Sequence, residues 1–437
     1  MSTSNRLPGI VTTDHVFQLP LDHEAPQGEQ IEVYAREVVA AGREGEDLPW
    51  LLFLQGGPGG KANRPLGRDG WLVRALDDYR VLLLDQRGTG RSTPANRQTL
   101  ARRGGPKEQA DYLAHFRADS IVRDAELIRR RLLGEGSRWS LLGQSFGGFC
   151  TLTYLSLAPE GLREAFVTGG LAGLKASADD VYRAAYPRVA RKNAGHYARY
   201  PQDVATVREI AAHLAENPAR LPDGGLLTVE AFQALGLMLG SGTGSHSLHH
   251  LLEEAWVEGV AGRELSDTFL AGAQAQLSFA QGPLYAVLHE SIYGQRSVDR
   301  AGTRWAAERV RAEFPAFDAR RALSTDQPVL FTGEMIYPAM FEADPALQPL
   351  REAAELLAER GDWPDLYDPA RLAGNTVPVA AAVYHDDMYV DTADSLETAN
   401  AVRGLRVWVT NEWEHDGLRV SGGQVLDRLI KMVRGEL

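Results

Sequence analysis

One serine of this chain stands between two glycines at a spacing that nucleophilic catalysis uses. Ser145 is the centre of Gly143-Gln144-Ser145-Phe146-Gly147, which follows the apolar run WSLL and precedes GGFCTLTYL. The G-x-S-x-G pattern is typical of a tight strand-to-helix turn that lifts the serine hydroxyl above a sheet. The pattern alone also occurs in ordinary glycine-rich strand exits, but here both flanks match the expected strand and helix. We therefore predict that Ser145 is a nucleophile.

A serine hydroxyl is a poor nucleophile at neutral pH, so it needs a histidine base and an acid that orients the histidine. His415, in NEWEHDG, follows the last apolar run, and the run before it ends at Asp386 and Asp387. We predict Asp387 as the acid, because it lies one position further beyond the strand, where a turn can aim it at His415. Asp386 is the alternative. The chain order serine, acid, histidine is that of the α/β-hydrolases.

A glycine-rich loop supplies candidate donors for an oxyanion. LQGGPGG (54–60) follows the apolar run WLLF, where hydrolases of this class carry an oxyanion loop. Glycine lets backbone N–H groups approach a substrate closely. We predict that the Phe146 N–H and one N–H from Gly56 or Gly57 bind the oxyanion. A phosphate-binding loop is not supported, since GGPGGK lacks the G-x-x-x-x-G-K-[ST] spacing.

The elements that must position these groups follow from the apolar pattern. IEVYAREVV (31–39) alternates with a period of two, as a half-buried strand does. WLLFL, RVLLLD, WSLLG and AFVTGG are continuous apolar runs, typical of strands covered on both faces. Residues 119–134 have helical spacing and end in glycine. Alternating strands and helices indicate a parallel α/β sheet. The strand pattern resumes at VPVAAAVYHDD and LRVWVTNEWEHDG, and the last segment of the chain is predicted to be a helix.

A long insertion separates the two blocks of strands. VREIAAHLAEN, SLHHLLEEAW and LREAAELLAERG have the pattern of amphipathic helices, whereas QPVLFTGEMIYP favours an extended segment. The insertion is far longer than a plain crossover connection. We predict an α/β-hydrolase fold with a mostly parallel central sheet, made of residues 1–175 and 374–437. Residues 176–373 form an inserted, mainly helical cap domain.

Composition argues against several classes of partner. The chain has 437 residues, of which 44% are hydrophobic and 24% charged, as in an ordinary globular protein. A net charge of -12 disfavours nucleic acid and anionic membranes. The first residues form no continuous apolar stretch, and no run approaches the roughly 18 apolar residues of a membrane span. We therefore expect no signal peptide and a cytoplasmic location. The single cysteine, Cys150, is expected to be a buried structural thiol.

The remaining histidines do not indicate a metal site. His246, His249 and His250 cluster in SHSLHHLL, but no matching acidic or cysteine spacing accompanies them. We interpret the cluster as a solvated helix start. HESIY (289–293) lacks the second histidine of H-E-x-x-H, so a zinc protease is not supported. We expect neither a metal nor an organic cofactor.

Several motifs of the chain occur together in one known group of enzymes. They are QGGPGG, LDQRGTGRS (84–92), GQSFGG, the acid after VPVAAAVYHDD and the late EHDG, with LPLDH and FTGEMIYP besides. This set, which spans nearly the whole chain, resembles that of the proline iminopeptidases (prolyl aminopeptidases), most closely the larger bacterial type. The resemblance implies an α/β-hydrolase-fold serine peptidase that removes an N-terminal proline. Gln55 departs from the commoner family motif, which begins with His, although this position should still present its backbone.

The resemblance also implies an amine site and a proline slot. A cation in a dry site needs an opposite charge, so a buried carboxylate suits a free α-amine. Glu290 in LHESIY resembles the amine-binding glutamate of the family, and Glu254 in LLEEAW and Glu334 in FTGEMIYP are further candidates. Phe146 and Phe149 lie near the turn and are candidates to line an apolar slot for the proline ring. Phe149 is equally compatible with the core.

We therefore expect a serine exopeptidase that releases N-terminal proline from short peptides through an acyl-enzyme. The alternative is an esterase, an amidase or a broader aminopeptidase, because fold and triad do not choose among them. A non-catalytic binding protein would have no reason to keep Ser145, Asp387 and His415 in order. An epoxide or haloalkane hydrolase would carry Asp in place of Ser145. The natural peptides, the strictness for proline, the oligomeric state and movement of the cap stay open.

Overall fold

The computed structural model describes residues 4–260 and 262–437. Its strands are β1 (Ser4–Leu7), β2 (Ile10–Pro20), β3 (Gln30–Ala40), β4 (Trp50–Leu54), β5 (Arg80–Leu84), β6 (Trp139–Gln144), β7 (Leu162–Thr168), β8 (Ala219–Arg220), β9 (Leu226–Leu227), β10 (Trp256–Gly259), β11 (Gly262–Leu265), β12 (Val379–Tyr384) and β13 (Leu405–Thr410). Its α-helices are α1 (Leu72–Asp78), α2 (Arg97–Leu100), α3 (Pro106–Leu113), α4 (Ala118–Leu133), α5 (Phe146–Leu157), α6 (Ala178–Arg199), α7 (Asp203–Glu216), α8 (Val229–Gln233), α9 (Gly244–Glu253), α10 (Asp267–Leu277), α11 (Leu284–Leu288), α12 (Ala306–Arg311), α13 (Ala319–Leu323), α14 (Met340–Ala343), α15 (Arg351–Ala358), α16 (Pro369–Ala373), α17 (Thr392–Ala401), α18 (Gly417–Val420) and α19 (Gln424–Arg434).

A nine-stranded sheet lies at the centre, with the order β1-β2-β3-β5-β4-β6-β7-β12-β13. The six strands from β5 to β13 in this order pair in parallel, and β1, β2 and β3 are antiparallel. The mostly parallel sheet predicted from the apolar runs is thereby confirmed. Because β4 and β6 are neighbours, with Leu54 opposite Gly143, the glycine-rich loop and the turn at Ser145 leave the sheet side by side.

Alternating side chains of the strands build a core on each face of the sheet. On one face, Leu52, Leu54 and Leu141 pack with residues of α4 and α5. On the other face, Leu51 and Phe53 pack with residues of α1 and α19. Continuous apolar runs therefore arise because both faces of each central strand are covered.

The insertion between β7 and β12 has an apolar core of its own. This second core includes residues of α6 to α10, α12 and α13, and it extends from Ala178 to Tyr337 with the later Met388. Residues of α11, α15 and α16 pack instead into the core of the sheet, so these helices fasten the insertion to the strands. QPVLFTGEMIYP forms neither helix nor strand. The domain bounds 1–175, 176–373 and 374–437 stay a prediction.

No helix in the described ranges is long and apolar enough to cross a membrane. The expected cytoplasmic location stays a prediction. Cys150 is buried within α5, and burial raises the pKa of its thiol, as a structural role requires.

The histidine cluster of α9 is only in part the solvated helix start that the sequence predicted. His246 and His250 are exposed, but His249 is buried and its Nδ1 lies 2.9 Å from Asp203 Oδ1. The reason is that α9 packs against the start of α7 and against Tyr200, whose ring stacks on His249 at 3.8 Å. Within residues 4–260 and 262–437, no group of acidic, histidine or cysteine side chains is arranged to hold a metal.

A buried arginine fixes the loop after β5. The Arg87 guanidinium donates to both oxygens of Asp124, at 2.8 and 2.6 Å, and both side chains are almost completely buried. It also donates to the carbonyl groups of Leu21 and His115, each at 2.7 Å. One cation thus joins the end of β2, the loop after β5 and helix α4.

Asp124→Asn should destabilise the fold, because it leaves the Arg87 cation buried without its counter-charge. We expect the free energy of unfolding to fall by about 3–5 kcal/mol, measured by urea denaturation. Asp111→Asn is the matched control, since the Lys107–Asp111 pair has side chains 77% and 60% exposed and should contribute less than about 1 kcal/mol. Equal losses in the two variants would contradict the role of the buried pair.

Candidate active site

Strand β6 and helix α5 meet at Ser145 in a strained turn. Ser145 has φ 55° and ψ -125°, a backbone conformation that residues other than glycine rarely adopt. A Cβ on Gly147 would lie 1.9 Å from the carbonyl oxygen of Leu54, and one on Gly143 would lie 2.3 Å from that of Gly147. The glycines of G-x-S-x-G are therefore required by the close approach of β4, β6 and α5.

Asp387 and His415 come together from the loops that follow β12 and β13. His415 Nδ1 lies 2.6 Å from Asp387 Oδ2, and their side chains are 11% and 1% exposed. The other oxygen of Asp387 accepts the backbone N–H groups of Tyr389, at 2.8 Å, and Val390, at 3.2 Å. This network fixes the carboxylate and, through Nδ1, the imidazole, so that Nε2 is the nitrogen available for proton transfer.

The neighbouring aspartate points elsewhere. The Asp386 side chain is 56% exposed and lies 3.1 Å from Nδ1 of His385, which is itself exposed. Of the two aspartates that the sequence offered, the structure brings Asp387 to His415 and leaves Asp386 on the surface.

The segment after β7 lies against both the serine and the histidine. A Cβ on Gly170 would lie 2.4 Å from the Ser145 carbonyl oxygen, and one on Gly169 would lie 3.0 Å from His415 Nδ1. Ser145 and His415 therefore flank the same pair of glycines. Ser145 Oγ donates no hydrogen bond to His415 in the part of the chain that the structure describes. Such contacts commonly tighten only when substrate binds.

The charges around His415 favour its protonated form. Burial lowers the pKa of His415, but the charge and hydrogen bond of Asp387, together with the charge of Glu334, outweigh burial. The pKa of His415 is consequently raised above its ordinary value. A histidine of this kind readily accepts a proton from a serine hydroxyl.

The glycine-rich loop after β4 lies directly against the serine. A Cβ on Gly56 would lie 2.7 Å from Ser145 Cβ and 3.3 Å from its Oγ. Phe146 is the first residue of α5, so its N–H has no acceptor within the helix. In the orientation that gives both ends of the Gln55 amide a partner, its oxygen accepts the Gly56 N–H at 3.2 Å. Of the two predicted glycines, Gly57 is therefore the one whose N–H is not engaged by Gln55.

The two phenylalanines lie side by side but differ in what they line. Both are buried, with ring centroids 6.2 Å apart. Phe149 lines a small cavity together with Tyr293, Met388 and Tyr389, beside the loop that carries Asp387; the charged Arg188, Asp391 and Asp394 also line it. Phe146 packs into the core of the sheet and is not part of this lining.

The three candidate glutamates have different surroundings. Glu334 accepts a hydrogen bond from the Tyr285 hydroxyl and lines a mainly apolar cleft of about 720 Å³ in the cap. Glu290 is buried, and its two oxygens accept the N–H groups of Ala306 and Ala307 at the start of α12, at 3.0 and 2.9 Å. Glu254 is exposed at the end of α9. The structure therefore brings Glu334 towards His415, uses Glu290 at a helix start and leaves Glu254 on the surface.

Aromatic residues that the motifs did not single out surround Glu334. Burial, and after it the charge of Glu334, raises the pKa of Tyr285, Tyr293 and Tyr389. The Tyr389 ring also packs 4.7 Å from His415. Tyr285, His289 and Tyr293 follow one another at four-residue spacing, with successive ring centroids 5.2 and 6.4 Å apart. The four-residue spacing was the sequence signal that could have identified these aromatic residues as a group, since residues four apart share one face of a helix.

The chain is similar over most of its length to known proteins. A family model described as alpha/beta hydrolase fold matches residues 49–216. A proline iminopeptidase of Aeromonas sobria is 52% identical over 429 residues, which cover 98% of each chain. A second one, from Aspergillus aculeatus, is 38% identical and covers 96% of this chain and 93% of its own. A solved proline iminopeptidase-related protein from Thermus thermophilus aligns over 97% of this chain and 98% of its own, with a TM-score of 0.38 at 16% identity. The predicted fold class and family are confirmed, and the chain belongs to the proline iminopeptidase family.

Proposed function

We propose that this protein is a prolyl aminopeptidase that releases N-terminal proline from peptides through an acyl-enzyme intermediate. The observation that carries the proposal is the Glu334 carboxylate, which lies within electrostatic reach of His415 and is hydrogen-bonded by Tyr285. An enzyme that requires a free α-amine needs an anion beside its reacting groups, whereas an esterase has no amine to pair. The names of the two similar relatives support the same substrate class.

In the proposed acylation step, Ser145 Oγ attacks the carbonyl carbon of the N-terminal proline while His415 Nε2 takes the hydroxyl proton. The carbonyl electron pair moves to the oxygen, and the N–H groups of Phe146 and Gly57 stabilise the resulting oxyanion. Asp387 keeps the imidazole in the required tautomer and stabilises its charged form. The imidazolium then donates its proton to the leaving nitrogen, the C–N bond breaks, and the shortened peptide departs.

Deacylation repeats the same steps with water. His415 takes a proton from a water molecule, whose oxygen attacks the acyl carbon. The oxyanion accepts hydrogen bonds from the same N–H groups, and the bond between the acyl carbon and Ser145 Oγ then breaks. His415 returns the proton to the serine, and free proline leaves. Every bond broken is replaced by one to oxygen or hydrogen, so this cycle is complete without a further co-reactant.

We place the substrate ammonium beside Glu334. The Tyr285 hydroxyl binds one oxygen of the carboxylate, so the second oxygen can accept a hydrogen bond from the ammonium. Tyr285 and Tyr389 add aromatic faces, which attract cations. Glu290 already uses both oxygens for backbone N–H groups of α12, so we assign it to holding that helix. We therefore rank Glu334 ahead of Glu290 and exclude the surface residue Glu254 from the site.

We place the proline ring in the cavity that Phe149 lines. Tyr293, Met388, Tyr389 and Val390 complete its apolar part beside the loop of Asp387. The CH2 groups of the puckered pyrrolidine ring gain affinity there by leaving water. Phe146 contributes its backbone N–H and, within the core, supports Phe149 by ring contact.

The first test is a panel of four substrates: a chromogenic proline anilide, its N-acetylated form, an alanine anilide and a short-chain ester. We expect fast turnover of the free proline anilide, slow but measurable turnover of the ester, and little cleavage of the other two anilides. Ser145→Ala should lower this activity by a factor of roughly 10⁴ or more at unchanged melting temperature. Hydrolysis of the ester with neither proline anilide cut would contradict the substrate assignment. Retained peptidase activity in Ser145→Ala would refute the nucleophile.

Glu334→Gln should weaken recognition of the amine selectively. We expect kcat/KM for the proline anilide to fall roughly 30- to 1,000-fold, because the ammonium loses its counter-charge in a desolvated site. The short-chain ester, which carries no amine, should lose less than about threefold. Glu254→Gln is the exposed control and should leave both substrates unchanged, while Glu290→Gln should lower stability without changing the ratio between them. Equal losses on both substrates in Glu334→Gln would remove Glu334 from the amine site.

The pH dependence follows from the raised pKa of His415. Only unprotonated His415 accepts the Ser145 proton, so kcat/KM for the neutral ester should be full at high pH. It should fall tenfold per pH unit below a midpoint that lies above 6.5, the ordinary pKa of a histidine. Asp386→Asn, at the exposed neighbour, should leave that midpoint unchanged. A wild-type midpoint below 6.5 would show that Asp387 and Glu334 do not act on His415 as inferred.

A further inference from the structure

One guanidinium lies between the segments that carry the proposed catalytic groups. Arg419 belongs to the short helix α18, four residues after His415. Its Nη2 donates to Gln144 Oε1 at 2.9 Å. The same nitrogen lies 2.7 Å from the Gln55 amide oxygen in the orientation that satisfies both ends of that amide. Arg419 thus joins the histidine loop to the turn at Ser145 and to the glycine-rich loop.

The two glutamines that Arg419 binds are themselves fixed. Gln55 is 6% exposed and Gln144 is 3% exposed, so their amide groups need partners within the protein. The backbone carbonyl of Gln55 accepts from Gln86 Nε2 at 2.9 Å, and its side-chain oxygen accepts the Gly56 N–H at 3.2 Å. Hydrogen bonds from a cation are about twice as strong as neutral ones. The Arg419 contacts therefore link the histidine loop to the glycine-rich loop through hydrogen bonds from a cation.

We propose that Arg419 is a positioning residue for the oxyanion hole. Arg419 Nη2 donates to both Gln55 and Gln144, and these hydrogen bonds set the distance between the Gly57 N–H and Ser145 Oγ. The proposal rests on the serine chemistry proposed above but not on the preference for proline. It also accounts for glutamine at position 55, because an amide oxygen is a neutral acceptor for a guanidinium at every pH. An imidazole there would compete with Arg419 whenever it became protonated.

Arg419 has a second, electrostatic effect that a purely structural residue would not have. The charged groups that act on His415 are Asp387 and Glu334, which raise its pKa, and Arg419, which lowers it; burial also lowers it. The Tyr389 ring packs against the imidazole without a charge of its own. Removing the cation should therefore move the acid limb of the pH profile upwards.

The experiment compares Arg419→Met and Arg419→Lys with wild type on the short-chain ester and the proline anilide. For Arg419→Met we expect kcat to fall roughly 10- to 100-fold on both substrates with KM within about twofold, since donors are misplaced rather than binding lost. The acid-limb midpoint should rise, and Arg419→Lys should restore the midpoint but only part of kcat. Arg428→Met is the matched control, because Arg428 is an exposed arginine of α19 that stacks over Trp408 at 4.5 Å.

A double-mutant cycle decides whether Arg419 acts through Gln55. Gln55→Leu removes the acceptor, so the double variant should lose little more kcat than Arg419→Met alone. The proposal would be overturned if the losses of kcat were additive in the double variant. It would equally be overturned if Arg419→Met left kcat unchanged or changed only KM. If Arg419→Met does not fold, Arg419→Lys and Gln55→Leu decide by the same kcat and pH criteria. An ester cut by wild type while the proline anilide is ignored would refute the proline assignment and still test Arg419; failure on both substrates would overturn both proposals.

Discussion

The close approach of the backbones of β4, β6 and α5 is the constraint on which the rest of the site depends. At Gly147 the distance to the Leu54 carbonyl leaves no room for a side chain, and this contact holds the turn at Ser145 in its strained conformation. Strain of this kind persists only where the surroundings over-determine it. Here the surroundings are the central strands, buried on both faces, and the glycine pair after β7 that touches both Ser145 and the loop of His415. The Ser145 hydroxyl is therefore presented by closely packed backbone.

The cap contributes charge and aromatic surface that the sheet does not supply. Helix α11 and the turn after it pack into the core of the sheet, while Met335, next to Glu334, packs into the second core. The hydrogen bond from Tyr285 to Glu334 joins these two parts above the glycine-rich loop. A carboxylate in this place acts in two ways, as the proposed partner of a substrate cation and as a charge that raises the pKa of His415. Substrate recognition and basicity of the histidine are thus coupled through one side chain.

Three charged groups, Asp387, Glu334 and Arg419, act on the pKa of His415. Each of them is held in place by hydrogen bonds. Asp387 is held by two backbone N–H groups, Glu334 by a tyrosine hydroxyl, and Arg419 by two glutamines. A charge in a partly desolvated site interacts strongly with its neighbours, so small displacements of these groups would change the pKa of His415. Fixed dipoles and hydrogen bonds prevent such displacements before a substrate arrives.

The sequence by itself determined the strands β3 to β7, β12 and β13, the turn at Ser145, the chain order of the three catalytic candidates and the family, but not β1, β2 and β8 to β11. Each of these rests on residues that are close in the chain, where spacing and steric demand leave few alternatives. Only the tertiary structure separated Glu334 from Glu290 and Glu254, buried His249 against Asp203, and joined Arg419 to Gln55 and Gln144. These outcomes depend on which segments pack together across hundreds of residues. A glutamate in an apolar segment has the same local pattern whether it binds a helix start, a substrate cation or water, and packing alone decides among them.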